Sequence, residues 1–200
     1  MKWDSTFSAF PVLETRRCIL RKIELSDADH LYEYLSKDEV TRYYDVETLT
    51  SKKEAEELIH GLLQRYKIGR QIRWGITLKN SHKLIGTCGF HALEREHFKA
   101  EVGYELHPDY WGKGIMTEAL AKVIHYGFLE MGLNRIEAFY MPANIASKKV
   151  LEKNGFQYEG LLRKRFFTKG EFVDVALCSL LREEYLLALS PEKTHCHSNA

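Results

Sequence analysis

The chain has 200 residues, 44% apolar and 28% charged, a globular composition long enough to bury one substantial core. A formal net charge of +1 excludes the strong basic excess of a nucleic-acid or anionic-membrane binder. Met1-Lys2-Trp3-Asp4 lacks the apolar run of a signal peptide, no stretch approaches the ~18 apolar residues of a membrane span, and Cys18, Cys88, Cys178 and Cys196 form no Cys-x-x-Cys pair, so the expectation is a cytoplasmic protein with reduced thiols.

The pattern of apolar positions predicts the elements in order. Arg16 to Ile23 alternates as a strand. Ser26 is placed to cap a helix running through Leu31 and Leu35, with acids in its first turn. Ser51 and Glu54 have capping-box spacing ahead of a helix whose stripe is Ala55, Leu58, Ile59, Leu62, Leu63 and Tyr66. Three strands follow, Ile72 to Leu78, Lys83 to His91 and Ala100 to Leu106, and the short turns between them predict an antiparallel meander. The intervening Leu93 to Lys99 reads as an exposed loop. A glycine-bearing turn then opens a long helix with Met116, Leu120, Val123, Ile124, Gly127, Phe128 and Met131 on one face and Gly132 as its stop. A strand at Arg135 to Met141, a short helix through Ser147, Val150 and Leu151 ending at Asn154-Gly155, and strands at Glu159 to Thr168 and Phe172 to Leu181 complete the pattern. The order β-α-α-β-β-β-α-β-α-β-β is that of an α/β domain with a mixed sheet. One domain is expected over residues 1–189, with its core at about 15–187 and a polar, disordered tail at 190–200.

The most informative stretch is Leu106-His107-Pro108-Asp109-Tyr110-Trp111-Gly112-Lys113-Gly114-Ile115-Met116-Thr117-Glu118-Ala119. A strand end, a turn with two glycines and a helix start expose backbone N–H groups where the helix dipole is positive, a site suited to phosphate or pyrophosphate. The bland reading, a tight connection, fits the same residues. Gly-Lys-Gly is not a nucleotide-triphosphate loop, because Gly-x-x-x-x-Gly-Lys-Ser/Thr is absent, and the dinucleotide Gly-x-Gly-x-x-Gly is absent as well.

Glu101-Val102-Gly103-Tyr104-Glu105-Leu106, Pro108 and Trp111 to Ala119 together resemble the acetyl-CoA loop of the GNAT superfamily, in the branch of the ribosomal-protein N-terminal acetyltransferases. Asn144-Ile145-Ala146-Ser147, followed by Leu151-Glu152-Lys153-Asn154-Gly155-Phe156, resembles that family's second block. The resemblance covers about Thr15 to Leu187. It implies a mostly antiparallel mixed sheet with a splayed central strand pair and flanking helices. Acetyl-CoA is implied as cosubstrate, its pantetheine on the main chain of Glu105, Leu106 and His107 and its pyrophosphate on the amides of Gly112, Lys113, Gly114, Ile115, Met116 and Thr117, with Trp111 also among the cofactor-binding residues. Asn144 and Ser147 would face it, with Lys149 near its outer phosphates. The family's loop has Gln or Arg where Trp111 stands, though Trp is common in this branch, and Gly or Ala where Met116 stands. The tyrosine of many relatives falls at Leu151, and the ribosomal branch's glutamate beyond Gly160 falls at Phe166.

Moving an acetyl group from a thioester to an amine requires a neutral amine, two reactants held together and a leaving thiolate; no protein nucleophile is needed. An α-amine of pKa ~7.7–8.0 is partly neutral at working pH, whereas a lysine at ~10.4 needs more help. Glu101 is the first candidate for the base, with His91 sharing the role through water, and Ser147 is the candidate acid beside Asn144. Against these stand a solvated strand carboxylate, a structural histidine and a plain helix cap. Arg163-Lys164-Arg165 reads as a solvated strand face, and His195-Cys196-His197 lacks the further ligands of a metal site, so no metal is expected. The leading expectation is a protein N-terminal acetyltransferase, monomer or homodimer, with no nucleic-acid or membrane partner. A small-amine acetyltransferase and a non-catalytic acetyl-CoA sensor are the alternatives.

Overall fold

A computed structural model describes residues 6–190. Eight strands form one sheet in the order β1-β2-β3-β4-β5-β6-β8-β7. They are β1 (Leu13–Glu14), β2 (Cys18–Lys22), β3 (Ile72–Leu78), β4 (Leu84–Glu94), β5 (Lys99–Leu106), β6 (Arg135–Tyr140), β7 (Gln157–Thr168) and β8 (Glu171–Leu181). Every neighbouring pair is antiparallel except β5 and β6, which run parallel. The helices are α1 (Ala28–Leu35), α2 (Asp38–Thr41), α3 (Lys52–Lys67), α4 (Ile115–Tyr126), α5 (Ile145–Lys153) and α6 (Arg182–Leu189).

Period-2 alternation along the strands divides the core between the two faces. On one face α1 and α3 cover Ile23 and Leu84 with Leu31, Tyr34, Leu35 and Ile59. On the other, α4 and the π-helical turn that continues it over Gly127–Met131 lay Leu120, Val123 and Phe128 over Leu20, Trp74, Phe90 and Ile136. Helices on both faces explain why β3 is buried along almost its whole length. No helix among the described residues is long and apolar enough to cross a membrane.

Local chemistry decides the element ends, in places against the sequence expectation: β4 runs on to Glu94, into the expected loop Leu93 to Lys99, of which only the 3-10 turn Arg95–His97 and Phe98 lie between the strands. Ser51 caps α3, accepting from the Glu54 N–H at 3.4 Å, while the Glu54 carboxylate reaches back to the Thr50 N–H at 2.8 Å. Ser26 does not cap α1. A 3-10 turn at Leu25–Asp27 precedes it, and the buried Asp27 carboxylate accepts from the Glu24 N–H at 2.9 Å and pairs with Arg21 at 2.7 Å. Burial favours the carboxylate there, because it can serve both an orphan amide and a guanidinium.

Sequence periodicity also missed the two-residue β1, the single-turn α2 and the weakly amphipathic α6, each too short or too evenly mixed to carry a period. At Arg163-Lys164-Arg165 the expected alternation gives way to a bulge. Pairing passes from Leu162↔Val175 to Phe166↔Val173, and Lys164 adopts a left-handed φ of 49° with its N–H on Asp174 at 2.8 Å. The three side chains are exposed, as expected. The His195-Cys196-His197 tract and the tail beyond Ser190 lie outside the described residues.

Candidate active site

β5 and β6 pair only at Lys99↔Arg135, Ala100↔Ile136 and Glu101↔Glu137, then separate. β5 stays bonded to β4 up to Gly86↔Leu106, and β6 stays bonded to β8 up to Tyr140↔Ala176. Each arm of the fork is therefore held rigidly from outside while the gap between them opens. The closed end is tied by charge. Arg135 pairs with Glu137 at 2.7 Å and Glu159 at 2.5 Å, and Lys99 reaches Glu137 at 3.2 Å.

Antiparallel pairing fixes which main-chain groups face the gap. The His107 N–H donates to the Ile85 carbonyl at 2.7 Å, so His107, and by alternation Glu105, turn their backbone groups toward β4. Of the three main-chain positions expected to meet pantetheine, only Leu106 faces the gap, with Tyr104 and Val102 beside it. The Leu106 carbonyl already accepts from the Trp111 indole N–H at 2.7 Å, which anchors that side chain beneath the glycine turn.

Gly112 and Gly114 have φ of 69° and 71°, the left-handed conformation that favours glycine. Gly114 occupies the N-cap of α4 and supplies no side-chain acceptor, so the first amides of that helix are open to an external anion. Arg17 braces the turn from below. It donates to the Lys113 carbonyl at 2.8 Å and to the Glu118 carboxylate at 2.7 Å. An uncapped helix start with two left-handed glycines fits a pyrophosphate. Lys113 is exposed beside it, its ammonium 5.7 Å from the Tyr110 ring centre.

Two cavities meet inside the fork. One, of about 560 Å³, runs from Tyr104 and Leu106 past Trp111, Gly112 and Gly114 to Ser147 and Lys149. Ile115 and Met116 also line it, while Lys149 is exposed at its rim. The other, of about 350 Å³, lies between Glu101 and His91 on one side and Phe139, Tyr140 and Phe166 on the other. Tyr44, Tyr104, Asn144 and Ser147 line both. The fork therefore brings Glu101, His91, Asn144 and Ser147 to one connected cleft with the glycine turn.

Within that cleft the Glu101 carboxylate is 23% exposed and lies 3.4 Å from His91 Nε2. Asn144 caps α5, its Oδ1 accepting from the Ser147 N–H at 3.0 Å. The Ser147 hydroxyl lies 2.9 Å from the Tyr104 phenol oxygen. Glu105 is bound up elsewhere. Its buried carboxylate pairs with Arg73 and accepts from Thr87 and, at 3.2 Å, from Tyr34. Burial works against the Arg73 charge, but the Glu105 carboxylate outweighs it and holds the guanidinium firmly protonated. Arg73 also donates to Tyr44 at 3.2 Å, tying the segment that roofs both cavities to the sheet.

Sequence reading overlooked Tyr104, Arg73 and Arg17. A charged residue inside the apolar run Ile72-Arg73-Trp74-Gly75-Ile76 is a visible signal of a buried pair. Nothing local marks Arg17, whose partners lie across the fold. Phe166, at the position of the ribosomal branch's glutamate, packs edge-on against Phe139 with ring centres 5.6 Å apart and forms an apolar wall of the second cavity.

Comparison with known proteins agrees with this geometry. The Acetyltransferase (GNAT) domain family matches residues 17–157. The Bacillus subtilis protein described as uncharacterized N-acetyltransferase YoaA is 43% identical over 173 residues, 86% of this chain and 98% of its own length. The crystal structure of ribosomal-protein-S5-alanine acetyltransferase from Vibrio fischeri superposes with a TM-score of 0.76 at 28% identity, covering 88% of this chain and 98% of that one. Mycobacterium smegmatis RimJ, solved in complex with CoA-disulfide, gives a TM-score of 0.78 at 25% identity over 86% of this chain and 88% of its own. The match over most of the domain makes this chain a member of the GNAT family and an acetyl-CoA-dependent acyltransferase.

Proposed function

We propose that the chain acetylates the α-amine at a protein N-terminus, in the cytoplasm, by direct transfer within a ternary complex. Acetyl-CoA, when bound, supplies the activated acetyl thioester. The amides of Gly112 to Thr117 bind its pyrophosphate, and Lys149 lies near its outer phosphates. Glu101 takes the proton of the attacking amine, directly or through water held with His91. Ser147, fixed by the Asn144 cap, donates to the departing sulfur. An α-amine needs only a modest base, because it is already partly neutral near pH 7.

The observation that carries this reading is the junction of the two cavities, with a carboxylate on the acceptor side and a hydroxyl at the meeting point. Similarity to the ribosomal-protein acetyltransferase of Vibrio fischeri supports the choice of a protein N-terminus. One contact favours a second reading, in which the acceptor is a small amine. Lys169 Nζ at the β7–β8 tip donates to the Thr41 carbonyl at 2.6 Å, bridging the hairpin to α2 beside the smaller cavity. A panel of N-terminal peptides and of small amines, assayed for CoA release, separates the two. Turnover of peptides above that of any small amine is expected. Turnover confined to small amines replaces the first reading with the second, and no turnover with any amine removes both.

A further inference from the structure

Tyr104 stands just beyond the last residue at which β5 pairs with β6. It lies opposite Cys88 of β4 with its own backbone groups turned to the gap, and its side chain reaches toward α5. There the phenol oxygen lies 2.9 Å from Ser147 Oγ and 3.3 Å from the Ser147 carbonyl oxygen. Burial pushes the phenol well above its ordinary pKa, so it keeps its proton throughout the working range.

Each hydroxyl owns one proton, and this limits the pair to two arrangements. If Ser147 donates to Tyr104, the serine proton is spent inside the pair. If Tyr104 donates to Ser147 Oγ, the serine proton is free to point into the cleft, and Oγ is polarised by the bond it accepts. A negative charge appearing in the cleft selects the second arrangement, because only that one offers it a donor.

We propose that Tyr104 is a positioning residue for acetyl transfer, its phenol aiming the Ser147 hydroxyl at the coenzyme sulfur. This rests on the acetyl-transfer reading above. The step moves no proton from Tyr104. The amine nitrogen bonds to the acetyl carbon, the carbon–sulfur bond breaks with its electron pair on sulfur, and the amine proton passes to Glu101. Ser147 stabilises the thiolate through a charge-assisted hydrogen bond whose direction Tyr104 sets.

The experiment is a calorimetric titration of the full chain with CoA and with desulfo-CoA at pH 7 and pH 10, the upper value lying well above the ~8.5 of a cysteine thiol so that the less acidic alkyl thiol of CoA also ionises. The titratable groups around the pair are Cys88 on β4 and Cys178 on β8, which act on the phenol through their charge, and Tyr44, Tyr140, Glu101 and His91, which line the same cavity. Burial holds both thiols up at about 12, and desulfo-CoA cancels what all six do to the part of the ligand the two share, while comparison of the variants with the wild type at one pH holds their effect on the sulfur constant. In the wild type, CoA should gain about tenfold in affinity over desulfo-CoA as the thiol ionises. Tyr104→Phe should abolish that gain while binding desulfo-CoA within about twofold of wild type. Ser147→Ala should match it, and the double variant should be no worse. A gain that survives in Tyr104→Phe, or is missing from the wild type, overturns the proposal. So does an equal loss of desulfo-CoA binding, which marks Tyr104 as merely structural. If the wild type binds neither ligand, the acetyl-transfer reading itself fails.

Discussion

Glu101 and Glu105 occupy the same face of β5, and their surroundings give them different work. Glu105 is locked to Arg73 with both side chains under 10% exposed, whereas Glu101 borders the cleft beside His91. Glu105→Gln leaves a buried guanidinium uncompensated and should lower stability by about 3–5 kcal/mol in denaturant unfolding, much of it restored when Arg73→Met is added. A double variant as weak as the single one would show that packing, not charge, holds the site. Glu101→Gln should reduce turnover by about 10²–10⁴-fold with CoA affinity unchanged, and wild-type turnover would remove Glu101 from the mechanism. Glu159 carries an acid-stability signature. Its hydrogen bonds from Arg135 and Ser179 hold the carboxyl down to about 2. The unfolded state then binds more protons between that value and the ordinary ~4.3, so the contribution is complete above the upper limit and is lost as pH falls toward the lower. The acid-unfolding midpoint of Glu159→Gln should rise toward neutrality, the more so in low salt, since the group is partly exposed.

Elements meet at the fork through contacts distant in sequence. Arg17, in the turn between β1 and β2, holds both the Lys113 carbonyl and Glu118 at the start of α4. Arg17→Gln should loosen the left-handed turn and weaken CoA binding by roughly tenfold, with a smaller effect on global stability. Unchanged affinity in the titration would mean that the glycine turn holds its shape alone. The far end of α4 is shaped by packing. Its last turn widens to a π-helix over Gly127–Met131, and a Cβ at Gly127 would lie 2.7 Å from Phe90 Cζ. That close approach lets the helix settle on β4.

At the scale of the molecule, binding should stabilise the fold, because the cleft exists only when β5 and β6 are held apart by their outer neighbours. CoA at a hundredfold excess over its Kd should contribute ~2.7 kcal/mol. For a chain of this size that corresponds to a rise of roughly 5–10 °C in Tm. ATP at the same concentration should move it far less, and an equal shift with ATP would reduce the site to a general phosphate cradle.

The sequence by itself determined what depends on neighbours along the chain. The Ser51 cap, the α3 stripe, the α4 face, the glycine turn at 112 and 114 and the Asn144 cap all appear where local pattern placed them. Ser147 and the glycine turn, singled out by the two blocks of family resemblance, line one cavity. What the sequence left open was set by contacts between distant segments. Asp27 displaced Ser26 because Arg21 reached it, and Glu105 and His107 turned their backbones to β4 because strand register leaves no choice once Leu106 faces the gap. The Tyr104–Ser147 bond exists only because β5 and α5 face one another across the fork. Helical and strand periods are properties of a local backbone, but partners for buried polar groups are found only after the chain has folded, and those partners decide which carboxylate is locked in the core and which borders the cleft.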